Sequence, residues 1–456
     1  MKIKDICCIG AGYVGGPTMA VIALKCPEIN ITVVDIDSKK IEAWNGDVDK
    51  LPVYEPGLPE IIKKVRGKNL FFSNNIDSEI DKAQIIFMAV NTPTKTEGEG
   101  KGMAADLKYV IASAKQIAKA SKTDKIVVEK STLPVRTAEK IKETLESENS
   151  NVKFEILSNP EFLAEGTAIN DLFKSDRVLI GGESTKSGKL AINELVKIYS
   201  KWIPREKILT TNVWSSELSK LASNAMLAQR LSSINSLSSI CEKTGAKTDE
   251  VSKAIGMDKR IGSEFLKVST GFGGSCFKKD ILNLVYLCSY YGLEEIAEYW
   301  HQVVKINDYQ RTRFSKKIIQ NFNEKFINKK IAILGWSFKS DTNDSRESSS
   351  IYISRQLIDE GFLINVYDPL VNEKRIYDDI NEISDKKVDN KSLKVFKTVD
   401  GALKNVNSAV IINDSKEFKE LKWKKIISES KNSIKIFDGR NILIDILEDY
   451  PYYFYL

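Results

Sequence analysis

Histidine is almost absent from this chain of 456 residues, which contains only His301. Zinc sites built on several histidines are therefore excluded, and Ser-His-Asp triads are excluded unless His301 serves in one. His301 lies in a segment with the apolar spacing of an amphipathic helix, so we expect a structural role for it. Acid–base chemistry is then expected from Asp, Glu, Lys or Cys side chains.

Long apolar runs and paired cysteines are also missing. No stretch of about 18 apolar residues predicts a membrane span, and the first residues do not resemble a secretory signal. The six cysteines form no CxxC pair, so we expect free thiols in a reducing, cytoplasmic environment. A net charge of +6 without a long basic run gives no support for a nucleic-acid or membrane partner. We expect no metal site.

The first part of the chain alternates short apolar runs with helical patterns. Strands are predicted at 3–9, 31–34, 85–90, 125–128, 154–157 and 178–181, with helices at 107–120 and 137–145 between them. This alternation predicts a doubly wound, mainly parallel sheet over residues 1–212.

The remaining chain falls into a helical part and a second α/β part. A long helix is predicted at 214–241, opening a helical domain over 213–326, and strands return at 331–334, 364–367, 409–412 and 434–437. A helix is predicted between the first two of these strands, at 350–360. The predicted fold class is therefore α/β, with two doubly wound Rossmann-like domains (1–212 and 327–456) joined by a long central helix and a helical middle domain. The tyrosine-rich tail at 450–456 is expected to be a packed segment without a function of its own.

A glycine-rich turn follows the first strand. The sequence GAGYVG directly precedes a helical pattern, and Asp35 ends the next strand. Such glycines allow a tight turn and let backbone N–H groups approach a pyrophosphate, while the acid accepts hydrogen bonds from the adenosine ribose and repels a 2′-phosphate. We therefore predict NAD as the cofactor, in preference to NADP.

A second glycine-rich stretch, GFGGSCFKKD at 271–280, leads into another helical pattern. Cys276 is predicted to lie at a helix N-terminus beside two lysines, a setting that favours the thiolate. Asp280 is one turn further on the same face. A thiolate with a nearby carboxylate suits covalent attack followed by activation of water, although a buried structural cysteine stays an alternative.

Other candidates are weaker when taken from spacing alone. Lys220 and Asn224 share a helix face, and their spacing alone favours a solvated face over a catalytic role. Glu161 and Glu165 follow a predicted strand and suit either acid–base groups or a surface turn. In the second α/β part, Phe338, Lys339 and Arg440 are suited to a nucleotide base and phosphates, or contribute only surface charge.

Eight motifs in order resemble the animal-type members of the UDP-glucose/GDP-mannose dehydrogenase family, from the first residues to about residue 442. They are GAGYVGGPT at 10–18, VNTPT at 90–94, EKST at 129–132, NPEFLAEG at 159–166, WSSELSKLASNA at 214–225, GFGGSCFKKD at 271–280, SRESSS at 345–350 and FDGR at 437–440. The resemblance implies oxidation of the C6 alcohol of UDP-glucose to the carboxylate of UDP-glucuronate with two NAD and one water.

The resemblance also implies roles for individual residues. Cys276 is implied as the nucleophile that forms a thiohemiacetal and then a thioester. Lys220 is implied to stabilise oxyanions, Asp280 to orient or activate water with Lys220, and Glu161 to act as acid–base group in thioester hydrolysis. Asn224 and Thr132 are implied as supporting residues.

The same resemblance assigns binding residues and an assembly. The residues implied for NAD are Gly10, Ala11, Gly12, Tyr13, Val14, Gly15, Asp35, Lys40, Val90, Asn91, Thr92, Pro93, Thr94, Ser131, Thr132, Leu133, Glu165 and Arg346. Those implied for the UDP-sugar are Glu161, Phe162, Leu163, Ala164, Glu165, Lys220, Asn224, Arg260, Phe265, Lys267, Phe272, Gly273, Phe338, Lys339 and Arg440. Arg260 is implied to reach the site of a neighbouring subunit, in dimers that assemble further into a homohexamer.

Some features depart from the family pattern or leave rivals open. The segments 45–51 and 149–153 are expected to be surface loops. Trp336 is bulkier than the residue of many relatives, and we expect it to alter the nucleotide pocket. The rival functions are oxidation of UDP-N-acetylmannosamine or GDP-mannose and a non-catalytic NAD sensor. An epimerase is excluded because no tyrosine has a lysine four residues later.

Overall fold

The computed structural model describes residues 2–322, 329–384, 386–430 and 433–456. Two compact units divide the chain, Met1–Ser223 and Asn224–Leu456. The expected domain boundary between residues 326 and 327 lies outside the described residues.

The first unit is built on an eight-stranded sheet with the order β3-β2-β1-β4-β5-β6-β7-β8. All neighbouring strands run parallel except β6 and β7. The strands are β1 (Asp5–Ile9), β2 (Asn30–Val34), β3 (Leu70–Ser73), β4 (Ile85–Met88), β5 (Lys125–Glu129), β6 (Phe154–Ser158), β7 (Val178–Gly182) and β8 (Ile208–Asn212).

Helices cover this sheet, so its central strands are buried hydrophobic runs. The helices are α1 (Gly15–Lys25), α2 (Ser38–Asn45), α3 (Leu58–Val65), α4 (Ile76–Lys82), α5 (Lys108–Ala120), α6 (Thr137–Glu148), α7 (Ala168–Phe173) and α8 (Lys186–Tyr199), followed by α9 (Val213–Thr244). The strand order reverses at β1 and β4, and ligands of doubly wound sheets bind at the carboxyl ends of such a pair.

The second unit contains helices and a six-stranded parallel sheet with the order β11-β10-β9-β12-β13-β14. Its further helices are α10 (Thr248–Gly256), α11 (Phe277–Tyr290), α12 (Glu294–Gln320), α13 (Ser349–Asp359), α14 (Glu373–Glu382), α15 (Val399–Leu403), α16 (Lys416–Glu420), α17 (Trp423–Glu429) and α18 (Ile444–Leu447). Its strands are β9 (Lys330–Leu334), β10 (Leu363–Tyr367), β11 (Leu393–Val395), β12 (Ser408–Ile411), β13 (Lys435–Asp438) and β14 (Tyr453–Tyr455). Here the order reverses at β9 and β12.

The predicted fold class is confirmed, and the long helix extends slightly beyond its predicted ends. Sequence analysis missed four short strands, β3, β8, β11 and β14. The tyrosine-rich tail forms the last of them and is packed, because the Tyr453 hydroxyl donates to Asp438 at 2.9 Å. The segment at 45–51 is not wholly a loop, since Val48–Lys50 forms a turn of 3-10 helix. No helix among the described residues is long and apolar enough to cross a membrane.

Candidate active site

The turn between β1 and α1 has the geometry that the glycine motif predicts. Gly10 has a φ of +111°, and a Cβ there would lie 2.3 Å from the carbonyl oxygen of Ala89. A Cβ on Gly15 would lie 2.0 Å from the carbonyl oxygen of Gly10. At Gly12, by contrast, a Cβ would meet no atom within 4 Å. The turn is therefore closed at its two ends and open in the middle, where a pyrophosphate fits against the backbone.

Asp35 follows β2 and faces this turn. Its carboxylate accepts hydrogen bonds from the amides of Ala11 (2.9 Å) and Asp37 (3.0 Å) and pairs with Lys40 (2.9 Å). Burial opposes the charge, yet these three donors hold the pKa of Asp35 below its usual value. An ionised acid at this position fits the ribose of NAD and repels a 2′-phosphate.

The loops after β4 and β5 meet at the same edge of the sheet. The Ser131 hydroxyl donates to the carbonyl of Val90 at 2.6 Å, and the Thr92 hydroxyl donates to the carbonyl of Thr132 at 3.1 Å. Pro93 accepts the amide of Asp106 at 2.7 Å. The structure thus brings two implied cofactor segments together next to the glycine turn, because β1, β4 and β5 are neighbours.

Glu161 and Lys220 form a buried ion pair in the first unit. Their Oε1 and Nζ atoms are 3.8 Å apart, and both side chains are less than 10% exposed. Lys220 also lies 5.4 Å from the ring centroid of Phe162, and Arg177 lies 3.8 Å from it. A buried lysine beside a carboxylate can stabilise a negative oxygen and exchange protons with a substrate.

Lys130 belongs to the same cluster and was missed as a functional residue. It is 3% exposed and donates to Oδ1 of Asn159 at 3.2 Å. The Tyr199 hydroxyl donates to the same oxygen at 2.7 Å, while the Asn159 amide donates to the carbonyl of Leu179 at 2.8 Å. The motif EKST contained Lys130, but nothing in its spacing indicated which side of the strand it faces.

A second missed residue, Glu55, holds the loop that carries Glu161, Phe162, Leu163, Ala164 and Glu165. The Glu55 carboxylate is 3% exposed and accepts the amides of Gly166 (2.8 Å) and Ala168 (3.1 Å). The loop is thereby fixed from a segment 111 residues earlier, between α2 and α3. Such a distant partner has no local signal in the sequence.

In the second unit, the glycine-rich stretch before α11 packs against α12 on one side and against the loop before α13 on the other. The Asn307 side chain accepts the amide of Phe272 at 2.7 Å and donates to its carbonyl at 3.0 Å. A Cβ on Gly273 would lie 2.6 Å from the carbonyl oxygen of Glu347. A Cβ on Gly274 would lie 3.0 Å from the Phe338 ring. The glycines are required because two backbones and an aromatic ring approach this stretch closely.

Cys276 is the N-cap residue of α11 and is only partly buried, whereas the other five cysteines are buried. Its carbonyl accepts the amide of Asp280 at 2.8 Å, one turn into the helix. The Asp280 carboxylate is 2% exposed and accepts a hydrogen bond from the Asn224 amide at 2.6 Å, with Lys279 at 4.0 Å. The predicted cysteine–aspartate arrangement is therefore present, and Asn224 joins it.

The candidate nucleotide residues of the second unit lie around the β9–β12 edge. Lys339 lies 5.6 Å from the centroid of the Phe338 ring. Arg440, after β13, pairs with Asp414 at 2.9 Å and is only 18% exposed. The carboxylate of Asp414 holds the Arg440 guanidinium in place, where it can bind a phosphate.

Four further implied residues are exposed on the second unit. Arg260 pairs with Asp258 at 2.6 Å and is 89% exposed, while Arg346 pairs with Asp344 at 2.7 Å. Phe265 adopts a φ of +59°, and Lys267 is exposed. No group of three His, Cys, Asp or Glu side chains is arranged to hold a metal ion within the part of the chain that is described.

The expectation that Trp336 alters the nucleotide pocket is not supported. Trp336 is fully buried in the core of the second unit, and its indole N–H donates to Asp379 at 2.9 Å. The side chain therefore packs under the sheet edge instead of lining it.

The doubly wound sheet, its open glycine turn and the ionised Asp35 define an NAD-dependent oxidoreductase, and the residues of the turn fit NAD. Comparison with known proteins gives the family. Three models of the UDP-glucose/GDP-mannose dehydrogenase family match in succession: the NAD binding domain at residues 4–203, the central domain at 214–309 and the UDP binding domain at 332–445. The chain belongs to this family.

Curated relatives resemble the chain along nearly all its length. The UDP-glucose 6-dehydrogenase of Bos taurus is 55% identical over 97% of this chain and 90% of its own. That of Drosophila melanogaster is 54% identical over 96% of this chain and 92% of its own. UDP-glucose 6-dehydrogenase 4 of Arabidopsis thaliana is 53% identical over 96% of this chain and 93% of its own.

Solved structures agree on the fold. A UDP-glucose dehydrogenase from Pyrobaculum islandicum superposes with a TM-score of 0.84 at 27% identity, covering 99% of this chain and 97% of that chain. A UDP-D-ManNAc dehydrogenase from Pyrococcus horikoshii shares the fold, with a TM-score of 0.77 at 23% identity over 96% of each chain.

Proposed function

We propose that this chain oxidises UDP-glucose to UDP-glucuronate through a thiohemiacetal and a thioester on Cys276. One UDP-glucose, two NAD and one water would give one UDP-glucuronate, two NADH and three protons. Relatives that are 53–55% identical carry the name UDP-glucose 6-dehydrogenase, and the family model over residues 332–445 is a UDP binding domain. These comparisons favour UDP-glucose over the other nucleotide sugars considered above.

The observation that carries the proposed chemistry is the setting of Cys276. It is the one cysteine of the six that is not buried, it begins a helix, and a buried carboxylate lies one turn further on. A helix N-terminus stabilises a thiolate, and a thiolate is the form that attacks an aldehyde carbon.

Cys276 forms one bond to C6 of the sugar and breaks it again at the end of the reaction. NAD, when bound, accepts a hydride from C6 in each of two oxidations. After the first oxidation the sulfur of Cys276 forms a bond to the aldehyde carbon, and the resulting oxyanion gains a proton. The second oxidation turns this thiohemiacetal into a thioester, and the hydroxyl proton is released as the hydride leaves. Water then adds to the carbonyl carbon, the carbon–sulfur bond breaks, and the thiolate of Cys276 is regenerated.

The charged residues have complementary roles in this scheme. Lys220 stabilises the negative oxygen of each tetrahedral stage and returns protons to it. Glu161 removes the proton of the attacking water. Asp280, held by Asn224, orients water, and Thr132 supports the reacting group.

The proposal includes binding, assembly and location. Phe338, Lys339 and Arg440 hold the UDP part of the substrate. Arg260, which is largely exposed in this chain, serves the site of a neighbouring subunit in a homo-oligomer. The protein works in the cytoplasm.

The first experiment measures stoichiometry. Limiting UDP-glucose is incubated with excess NAD, and NADH absorbance is followed to its endpoint. Two NADH per sugar are expected, whereas one NADH would mean that the reaction stops at the aldehyde. If UDP-glucose gives no NADH, UDP-N-acetylmannosamine and GDP-mannose are tested as rival substrates. If none of the three sugars yields NADH, the result favours a non-catalytic NAD sensor.

The substitution Cys276→Ser tests the covalent route. We expect steady-state turnover to fall by at least about 1,000-fold, because a serine hydroxyl is a far weaker nucleophile at neutral pH. Binding of NAD and UDP-glucose, measured by calorimetry, should persist. Cys288→Ser is the matched control, because Cys288 lies on the same helix and is buried. Undiminished turnover of the Cys276 variant would refute the thioester.

A further inference from the structure

Lys130 is a buried cation of the first unit to which the mechanism above gives no role. It follows β5 directly, is 3% exposed, and its backbone amide donates to Met88 at 3.0 Å. Its ammonium donates to Asn159 Oδ1 at 3.2 Å. A lysine is placed in such a site at a considerable cost in desolvation, which only polar or charged neighbours offset.

Asn159, the hydrogen-bond partner of Lys130, is held by several hydrogen bonds. Asn159 is 1% exposed, and its side chain is bound by Lys130, by the Tyr199 hydroxyl and by the carbonyl of Leu179. Its backbone amide donates to the carbonyl of Glu129 at 2.8 Å. Because burial raises the pKa of Tyr199, this hydroxyl stays protonated and donates a hydrogen bond to Asn159. The ammonium is thus held in one place.

The charges that face Lys130 come from three other elements. Glu161 lies on the loop after β6, Lys220 on α9 and Cys8 on β1. Glu161 forms an ion pair with Lys220 at 3.8 Å and acts electrostatically on Lys130. Its Oε2 atom is buried and accepts no hydrogen bond from the described residues. A carboxylate in that position depends on nearby positive charge.

We propose that Lys130 is a positioning residue for thioester hydrolysis, whose ammonium, anchored by Asn159, offsets the charge of the Glu161 carboxylate and holds it in place. This inference rests on the proposed function, in which Glu161 accepts the proton of the attacking water. Oxidation of the sugar does not need Glu161 as a base, so the effect of Lys130 is confined to the hydrolytic half.

The environment also sets the pH range of this role. Burial lowers the pKa of Lys130 to about 8, Glu161 opposes the shift, and Lys220 adds to it. Lys130 is therefore mostly charged at pH 7 and loses its charge as the pH rises through about 8. The hydrolytic step should then slow on the alkaline side.

The test compares Lys130→Met with Lys125→Met. Lys125 is a matched control on the opposite end of the same strand, 2% exposed, where it binds the carbonyls of Asp81 and Ala83 at 2.7 Å. Both variants lose a buried ammonium, but only the first changes the charge near Glu161. Each purified enzyme is mixed with NAD and UDP-glucose. The NADH burst is followed by stopped flow, and the acid-quenched protein is weighed by mass spectrometry.

We expect Lys130→Met to form NADH in the first turnover at a rate within about threefold of the wild type, while kcat falls at least about tenfold. A UDP-hexuronyl adduct should accumulate on Cys276, as in Glu161→Gln. Lys125→Met should show neither effect. A Lys130→Met enzyme with wild-type kcat, or one that slows without accumulating the adduct, would overturn the proposal.

The conservative variant separates charge from structure and carries the test if Lys130→Met does not fold. Lys130→Arg should recover kcat to within about threefold at pH 7, and its activity should persist about one pH unit further into the alkaline range. If the activity of Lys130→Arg falls at the same alkaline pH as that of the wild type, the role proposed for Lys130 is contradicted. If instead the wild type yields no NADH from UDP-glucose, the proposed function itself is wrong.

Discussion

The turns that follow β1 and β9 are built alike but bind differently. Each begins with a glycine of positive φ, Gly10 at +111° and Gly335 at +94°. Each glycine is crowded, since an added Cβ would lie 2.3 Å from the carbonyl oxygen of Ala89 in the first unit and 2.5 Å from the Asn413 side chain in the second. The two units thus close the first βα turn by the same steric rule.

Each turn is also tied to an aspartate at the end of the neighbouring strand. Asp35 accepts the amide of Ala11 at 2.9 Å, and Asp368 accepts the amides of Trp336 at 2.6 Å and Ser337 at 2.9 Å. Both aspartates are 8% exposed. The two carboxylates differ in how many hydrogen bonds they already accept from the protein. Asp368 also accepts two amides of its own loop, those of Leu370 and Val371, whereas Asp35 accepts one, that of Asp37, and is paired with Lys40 near the ribose position.

The centre of each turn decides what it binds. Gly12 faces open space in the first unit, whereas the corresponding residue of the second unit is Ser337, whose hydroxyl donates to the carbonyl of Lys339 at 2.8 Å. One turn therefore admits a pyrophosphate against its backbone, and the other offers Phe338 and Lys339 further along. The same strand–turn–helix frame thus serves two nucleotide sites, with the choice made by one or two side chains.

The largest effect is expected from filling the open turn. Gly12→Val should raise KM for NAD at least about 100-fold, because the side chain occupies the space of the pyrophosphate. The melting temperature should stay within a few degrees of the wild type, since nothing lies within 4 Å of the new Cβ. In Gly10→Ala the clash with Ala89 should instead lower the free energy of unfolding by about 2–4 kcal/mol. Normal NAD affinity in the Gly12 variant would break the comparison.

A smaller effect should separate the two aspartates. Asp35→Asn keeps an acceptor for Ala11 but removes the charge, so the ratio of kcat/KM for NADP to that for NAD should rise about tenfold. Lys40, freed from its ion pair, would then face the 2′-phosphate.

Asp368→Asn is the counterpart in the second unit. It should leave the cofactor ratio unchanged and lower the free energy of unfolding by about 1–3 kcal/mol, because the carboxylate accepts four backbone amides. Denaturant titrations and steady-state kinetics measure the two quantities. A change of cofactor preference in this variant would show that the roles are not separate.

The smallest effect is expected at Trp336. Trp336→Phe loses the hydrogen bond to Asp379, which Arg375 still holds at 2.7 Å. Unfolding free energy should fall by about 1–2 kcal/mol, with KM for UDP-glucose changed less than about threefold. Trp423→Phe is the control, since it loses an equally buried indole bond to Phe418. A raised KM in the Trp336 variant alone would place that residue in the nucleotide pocket after all.

Local patterns account for most of the fold that could be predicted. The buried strands β1, β4, β5 and β9 and the helix α9 have long apolar signals, and the structure contains them. The strands β3, β8, β11 and β14 have three to five residues with exposed or half-buried positions, so their identity depends on the strand beside them.

The site could be predicted where a residue lies in a motif with its own chemistry. Asp35 and the glycine turn are of this kind. So are Cys276 and Asp280, which the structure places at the start of one helix, while their chemical roles stay predictions. Lys130 and Glu55 could not be found in this way, because their roles depend on Asn159 and on the loop at 164–168, which are distant in the chain. Trp336 was misjudged for the same reason, since its direction depends on Asp379.

The amino-acid sequence by itself determined the class of fold, the cofactor NAD and the position of Cys276 at the start of a helix, because each depends on residues that lie within a turn or two of one another. Only the tertiary structure decided which buried charges face each other, as Lys130 and Lys220 face Glu161, and which bulky side chain fills a core. Burial and electrostatic partners are set by strand order and packing, and these bring together residues whose separation in the chain has no regular period.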